Sequence, residues 1–175
     1  AAVEAGACLI NDVRALREPG ALEMAAQLDV AVCLMHMQGQ PRTMQSEPQY
    51  ENVVDEIKTF LNERIDACEN AGIKKQQLII DPGFGFGKSL QHNLVLLDQL
   101  NHFTRMGLPL LVGLSRKSML GTILDKPVTE RLYGSLAVAV LAAWQGASII
   151  RVHDVAESAD VIRVVHAVME SRHNS

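Results

Sequence analysis

The chain has 175 residues, 48% of them hydrophobic, and carries 16 Lys and Arg against 20 Asp and Glu for a net charge of -4. That length supports one domain with a sizeable core. No stretch approaches the roughly 18 consecutive apolar residues of a membrane helix, and no basic stripe suggests a nucleic-acid surface.

The chain opens on Ala1 with neither an initiating Met nor a signal peptide. Residues 1–6 read as the last turn of a helix closing on Gly6, which leads us to expect that the natural N-terminus lies further upstream. Short runs rich in Leu, Ile and Val follow at 7–13, 30–36, 77–81, 109–115 and 148–154. None alternates for long, which suits parallel strands covered on both faces. Between them lie longer amphipathic stretches at 52–70, 90–106, 134–145 and 156–170. The first places Val53, Ile57, Phe60, Leu61 and Ile65 near helical spacing and stops at Gly72. The last carries Val161, Ile162, Val164, Val165 and Val168. Strand and helix in alternation predict a parallel α/β sheet forming one domain over residues 1–175, without linker or repeat. The sheet is either open and doubly wound or part of a TIM-type (β/α)8 barrel. Asp81, Ser115 and Arg151 recur at near-equal intervals, close to those of barrel units. A full barrel needs about 250 residues, so five units fit a barrel without its first three. Periodicity leaves both closures open.

Parallel α/β folds bind ligands at the C-terminal ends of their strands. Here those ends read Asn11-Asp12-Val13, Leu34-Met35-His36-Met37-Gln38-Gly39, and Asp81-Pro82-Gly83-Phe84-Gly85-Phe86-Gly87-Lys88. The last two read Gly113-Leu114-Ser115-Arg116-Lys117-Ser118 and Arg151-Val152-His153-Asp154. With a period of two, Arg151 and His153 point the same way, as do Ser115 and Lys117 if that strand extends so far. Arg and His suit an anion, and Lys117 adds a cation. Asp81 and Asn11 offer what a flat nitrogen heterocycle requires, while Val13, Met35 and Phe86 can pack on its faces.

Plainer readings stand beside these. Asp81-Pro82-Gly83 is also an ordinary turn sequence, His36 reads best as a satisfied core histidine, and Arg116 as a solvated loop charge. Arg151 within an apolar run predicts a buried guanidinium that needs a partner; Asp154 is near in sequence but on the opposite face. Met35 and Met37 read as core or pocket wall. His92, His102, His166 and His173 read as ordinary helix or tail residues. Cys8, Cys33 and Cys68 lack paired spacing, and the first two read as small core residues in a reducing compartment. No spacing suggests a metal cage. The glycine-rich 83–89 segment imitates a phosphate loop, but Pro82 occupies the position where the Walker pattern needs Gly, and Lys88 the last Gly of the dinucleotide pattern. Its glycines instead suit a tight connection and close ligand approach.

Taken together, the five strand-end segments, in this order and spacing, resemble dihydropteroate synthase across essentially the whole chain. The resemblance implies a TIM-type barrel, here its last five β/α units with the first three missing. It implies a cytoplasmic transferase of folate biosynthesis that condenses 7,8-dihydropterin-6-ylmethyl diphosphate with p-aminobenzoate and is a sulfonamide target. By that likeness Asn11, Asp81 and Lys117 contact the pterin, with Val13, Met35, Phe86 and Gly113 lining its pocket. Arg151 and His153 bind diphosphate, while Phe86, Ser115 and Lys117 help form the p-aminobenzoate site; Asp81 and Lys117 are the expected catalytic pair. Mg2+ is implied as cofactor, its ligand lying outside these residues, and so is a homodimer through barrel helices. The chain alone is expected to be inactive and poorly stable. Two further readings are the pterin domain of a folate-dependent methyltransferase, which shares Asp and Asn contacts, and a non-catalytic pterin-binding module.

Overall fold

The Leu-, Ile- and Val-rich runs form parallel strands, and the amphipathic stretches between them form helices. The computed structural model describes residues 1–39 and 48–172. In chain order the elements are β1 (Leu9–Asp12), α1 (Ala21–Ala26), β2 (Ala31–Met35), α2 (Val53–Asn70), a 3-10 turn (Lys75–Gln77) and β3 (Leu78–Asp81). Then come α3 (Leu90–Asp98), α4 (Asn101–Thr104), β4 (Leu111–Val112), α5 (Ser118–Leu124), a second 3-10 turn (Val128–Glu130), α6 (Leu132–Trp144), β5 (Ile149–Ile150) and α7 (Val155–Ser171).

β1, β2 and β3 form one parallel ladder, with Asn11 beside Cys33 and Met35 beside Asp81. β4 and β5 form a second. A parallel bridge between Ile80 and Leu110 joins the two, so the five strands run in sequence order. The α/β class is therefore observed. Among the described residues β1 and β5 each pair on one side only.

Alternation sorts the side chains. Val32, Leu34, Leu78, Ile80, Leu110, Val112 and Leu114 face the helices and share one core with Val54, Ile57, Leu61, Leu96, Leu100 and Phe103. Each such buried side chain contributes roughly 1.5–3 kcal/mol relative to exposure. The alternate residues, Asn11, Cys33, Met35, Asp81, Leu111, Gly113 and Ser115, take the other face. Asn52 caps α2 by accepting the amides of Val54 and Asp55 at 3.1 and 3.2 Å. Gly72, at φ +92°, ends it, and the Ile73 amide reaches back to the Cys68 carbonyl. Among the described residues no helix is long and apolar enough to cross a membrane.

Several expectations change. β4 and β5, two residues each, are shorter than 109–115 and 148–154, since regular pairing covers only Leu111–Ile149 and Val112–Ile150; even so, the Arg151 amide still donates to the Val112 carbonyl at 2.8 Å. The 90–106 stretch breaks near Gln99 into α3 and α4, and α1 and α5 lie outside the stretches expected to be helical. Residues 1–6 do form a turn closing on Gly6, at φ +102°. Cys33 and Cys68 are buried, but Cys8, which precedes the paired part of β1, is exposed. His173 lies outside the described residues.

Candidate functional site

β3 delivers Asp81 at its last position, where the side chain is 1% exposed. Its Oδ1 accepts the Gly83 amide at 2.7 Å. Burial pushes its carboxyl pKa up, against the Gly83 amide and the positive charges of Arg151, Lys88 and Lys117. Gly83, Gly85 and Gly87 all adopt positive φ. A Cβ on Gly83 would run into the His36 carbonyl oxygen, and one on Gly87 into that of Gln38. The glycines thus let this loop lie against the chain leaving β2, the tight connection expected of them.

Lys88 closes the loop. It is 3% exposed, and its Nζ donates to the carbonyls of Gly83 at 2.9 Å and Phe86 at 3.0 Å and lies 3.0 Å from His36 Nδ1. Burial lowers its pKa to about 7, with Asp81 opposing and Lys117 adding to the fall. His36 is the satisfied core histidine expected. Its ring meets Phe60 edge-on, its pKa is lowered to about 3 by burial and then by the charges of Lys88 and Arg17, and its amide donates to the Asp81 carbonyl. Tyr50 donates its hydroxyl to the Gly87 carbonyl at 2.8 Å, and Asn93 accepts the Gly85 amide at 2.8 Å. Sequence reasoning missed Lys88, Tyr50 and Asn93 as loop supports. A lysine ending a failed phosphate-loop pattern was the one signal available for any of them. His92, read as ordinary, completes a capping box with Ser89 at the start of α3.

Lys117 is no strand residue: β4 has ended, and it sits at the N-cap of α5. Its side chain still returns to the site, with Nζ 4.3 Å from the centre of the half-buried Phe86 ring. Burial lowers its pKa, with Asp81 opposing and Arg151 assisting. Ser115 is buried, and its Oγ lies 3.0 Å from His153 Nδ1. Arg151 lies across Gly113, where an added Cβ would come within 2.8 Å of Nη2. Gly113, Ser115, Lys117, Arg151, Val152 and His153 line a cleft of about 370 Å3.

Arg151 is exposed, contrary to the burial expected of it, because β5 has a paired strand on one side only. Asp154 pairs instead with Arg116, which is thereby more than a solvated charge: its Nη2 and Nε reach the two carboxylate oxygens at 2.5 and 3.2 Å. Met35 is buried beside Asp81, and Met37 is buried too. Asn11 and Val13 are exposed on and just after β1. Asp12, between them, turns the chain by accepting the amides of Arg14 and Leu16. The structure therefore gathers Met35, Asp81, Phe86, Gly113, Ser115, Lys117, Arg151 and His153 at one end of the strands, with Asn11 reaching the same face through β1. A larger concavity of about 830 Å3 runs along α2 and residues 49–52, away from these groups. Among the described residues no three His, Cys, Asp or Glu side chains gather as a metal site.

A cluster of one buried carboxylate, two screened lysines and an exposed Arg–His pair can hold a polar heterocycle and an anion side by side. Comparison with known proteins agrees. The sequence pattern of the pterin binding enzymes matches residues 1–153. The chain is 58% identical over 166 residues to dihydropteroate synthase of Haemophilus influenzae, covering 95% of this chain and 60% of that protein. It is 56% identical over 169 residues to that of Escherichia coli, covering 97% and 60%. A crystal structure of Yersinia pestis dihydropteroate synthase with a sulfonamide drug superposes with a TM-score of 0.95 at 53% identity, over 97% of this chain and 62% of that one. The chain thus spans about 60% of the length of the curated relatives it matches. On a family match covering most of its length and relatives more than half identical to it, the chain belongs to the pterin binding enzymes.

Proposed function

We propose that this chain provides the pterin- and diphosphate-binding part of a dihydropteroate synthase, a transferase joining 7,8-dihydropterin-6-ylmethyl diphosphate to p-aminobenzoate. The observation that carries the reading is Asp81, buried at the strand ends and facing the charges of Arg151, Lys88 and Lys117, in a family whose relatives bear that name. The five parallel strands are then consecutive strands of a TIM-type barrel, whose remaining strands would pair with the open sides of β1 and β5.

In this reading Asn11, Asp81 and Lys117 hold the pterin edge, and Val13, Met35, Phe86 and Gly113 its faces. Arg151 and His153 take the diphosphate. As the methylene C–O bond breaks, the electron pair leaves with the diphosphate, where hydrogen bonds from the Arg151 guanidinium and the His153 imidazole stabilise it. Asp81, as an anion, favours the cation left on the pterin methylene and ring. The amine of p-aminobenzoate, held near Phe86, Ser115 and Lys117, attacks that carbon and then loses a proton to solvent water. No covalent enzyme intermediate is required. Among the described residues no three His, Cys, Asp or Glu side chains gather to hold the Mg2+ that the resemblance implies.

Homodimer formation is part of the proposal. Val140, Trp144, Val161, Val164, Val165 and Val168 of α6 and α7 form a wholly apolar groove, with Val164 65% and Trp144 41% exposed. The setting proposed is the cytoplasm.

The test is dihydropteroate formation from the pterin diphosphate, Mg2+ and p-aminobenzoate. It would be run on the chain alone and on a chimera in which the Escherichia coli relative supplies the part this chain does not span. Turnover by the chimera, blocked by a sulfonamide and reduced about 100-fold by Asp81→Asn, is expected. Full turnover by Asp81→Asn would sink the mechanism, and a folded but silent chimera would favour a non-catalytic module.

A further inference from the structure

We propose that Lys88 is a positioning residue of the pterin site, a buried cation that fixes the 83–87 loop and, through it, Asp81 and Phe86. The proposal deepens the synthase reading and rests on it. An ammonium has three protons, and Lys88 Nζ has three neighbours able to accept them: the Gly83 carbonyl, the Phe86 carbonyl and His36 Nδ1. All three acceptors connect to the site. The residue whose carbonyl Lys88 holds, Gly83, gives its amide to Asp81 Oδ1. Phe86 carries the ring that packs beneath Lys117. His36, at the end of β2, gives its amide to the Asp81 carbonyl. One side chain thus ties β2, the end of β3 and the loop to a single point.

Packing alone does not call for a charge here. A Met of similar length would fill the volume, whereas a buried ammonium is costly unless every proton is bonded. The carbonyls of Gly83 and Phe86 converge on one side of the loop, and a cation between them removes their mutual repulsion. Of the charged groups facing Lys88, Asp81 attracts and Lys117 repels it; Arg17 acts on the His36 side. With Lys88 as donor, His36 must carry its own proton on Nε2.

That tautomer is measurable in the chimera by nitrogen-detected NMR of the imidazole. The expected result is an Nε2–H tautomer that does not titrate between pH 5 and 8. In Lys88→Met the imidazole should titrate at higher pH than in the parent, and KM for the pterin diphosphate should rise about tenfold in the folded molecules, with partial recovery in Lys88→Arg. A lysine that only supports folding would lower kcat in proportion to the folded fraction and leave KM unchanged; that result overturns the proposal. Should Lys88→Met not fold, the parent alone decides, since an Nδ1–H tautomer or titration near pH 6.5 refutes the Lys88 contact. Should the parent chimera make no dihydropteroate, the synthase reading fails, and the tautomer still decides whether Lys88 holds the loop as a cation.

Discussion

Two glycines at the site should respond to the same substitution in opposite ways. Gly83 has φ +71°, and a Cβ there would collide with the backbone carbonyl oxygen of His36. Left-handed geometry costs a non-glycine residue about 1–2 kcal/mol, and overpacking against an atom that cannot swing away adds about 1–3 kcal/mol. Gly113 has ordinary φ, and a Cβ there meets only the end of the Arg151 side chain, at 2.8 Å from Nη2 and 3.2 Å from Nε. That end is exposed and can move, so the stability cost is below about 1 kcal/mol, while the guanidinium leaves its place in the cleft. The two costs at Gly83, together about 2–5 kcal/mol, should lower the melting temperature of the Gly83→Ala chimera by about 4–20 °C, at about 2–4 °C per kcal/mol. Gly113→Ala should melt close to the parent yet raise KM for the pterin diphosphate about tenfold, the scale of one charged hydrogen bond. Thermal melts monitored by circular dichroism and initial-rate kinetics on the same preparations read both. A Gly83→Ala protein melting within about 2 °C of the parent would refute the reasoning, as would a Gly113→Ala protein with unchanged KM.

Leu34, fully buried on the central strand of the three-strand ladder, should cost about 2–5 kcal/mol as Leu34→Ala, read by urea unfolding of the chimera. Acid should destabilise the fold through His36. An imidazole at about 6.5 unfolded and about 3 folded contributes stability that is complete above pH 6.5 and is lost as pH falls toward 3, on the order of 5 kcal/mol in all. Unfolding free energies from pH 7 to 4 should fall less steeply in His36→Asn than in the parent. Val164→Asp with Val168→Asp, on the exposed apolar groove of α7, should convert a dimer to monomer in sedimentation velocity; an unchanged sedimentation coefficient would place any interface elsewhere.

Much of this was legible in the chain because it is local. Strand and helix periods follow from side-chain geometry, so the α/β class, the five strands and the capped α2 could be read directly. The same period of two pointed Arg151 and His153 the same way, and the strand-end pattern marked Asn11, Met35, Asp81, Gly113 and Ser115; that these share one face follows from the strand register. Family resemblance added the chemistry expected of them. What the sequence could not give were contacts between segments far apart along the chain. That Asp154 pairs with Arg116, that Lys117 returns from a helix start to cover Phe86, and that Gly83 and Gly87 are small because the chain leaving β2 runs against them all depend on how loops meet in space. Lys88 is the sharpest case: its local pattern is a failed phosphate loop, and only the convergence of two carbonyls and an imidazole, His36, from the neighbouring strand makes a buried cation stable there. The sequence by itself determined which faces would be apolar and which strand ends would be charged, because those depend on neighbours a few residues away. Tertiary structure alone decided which charges find partners, because burial and pairing are set by groups from different strands.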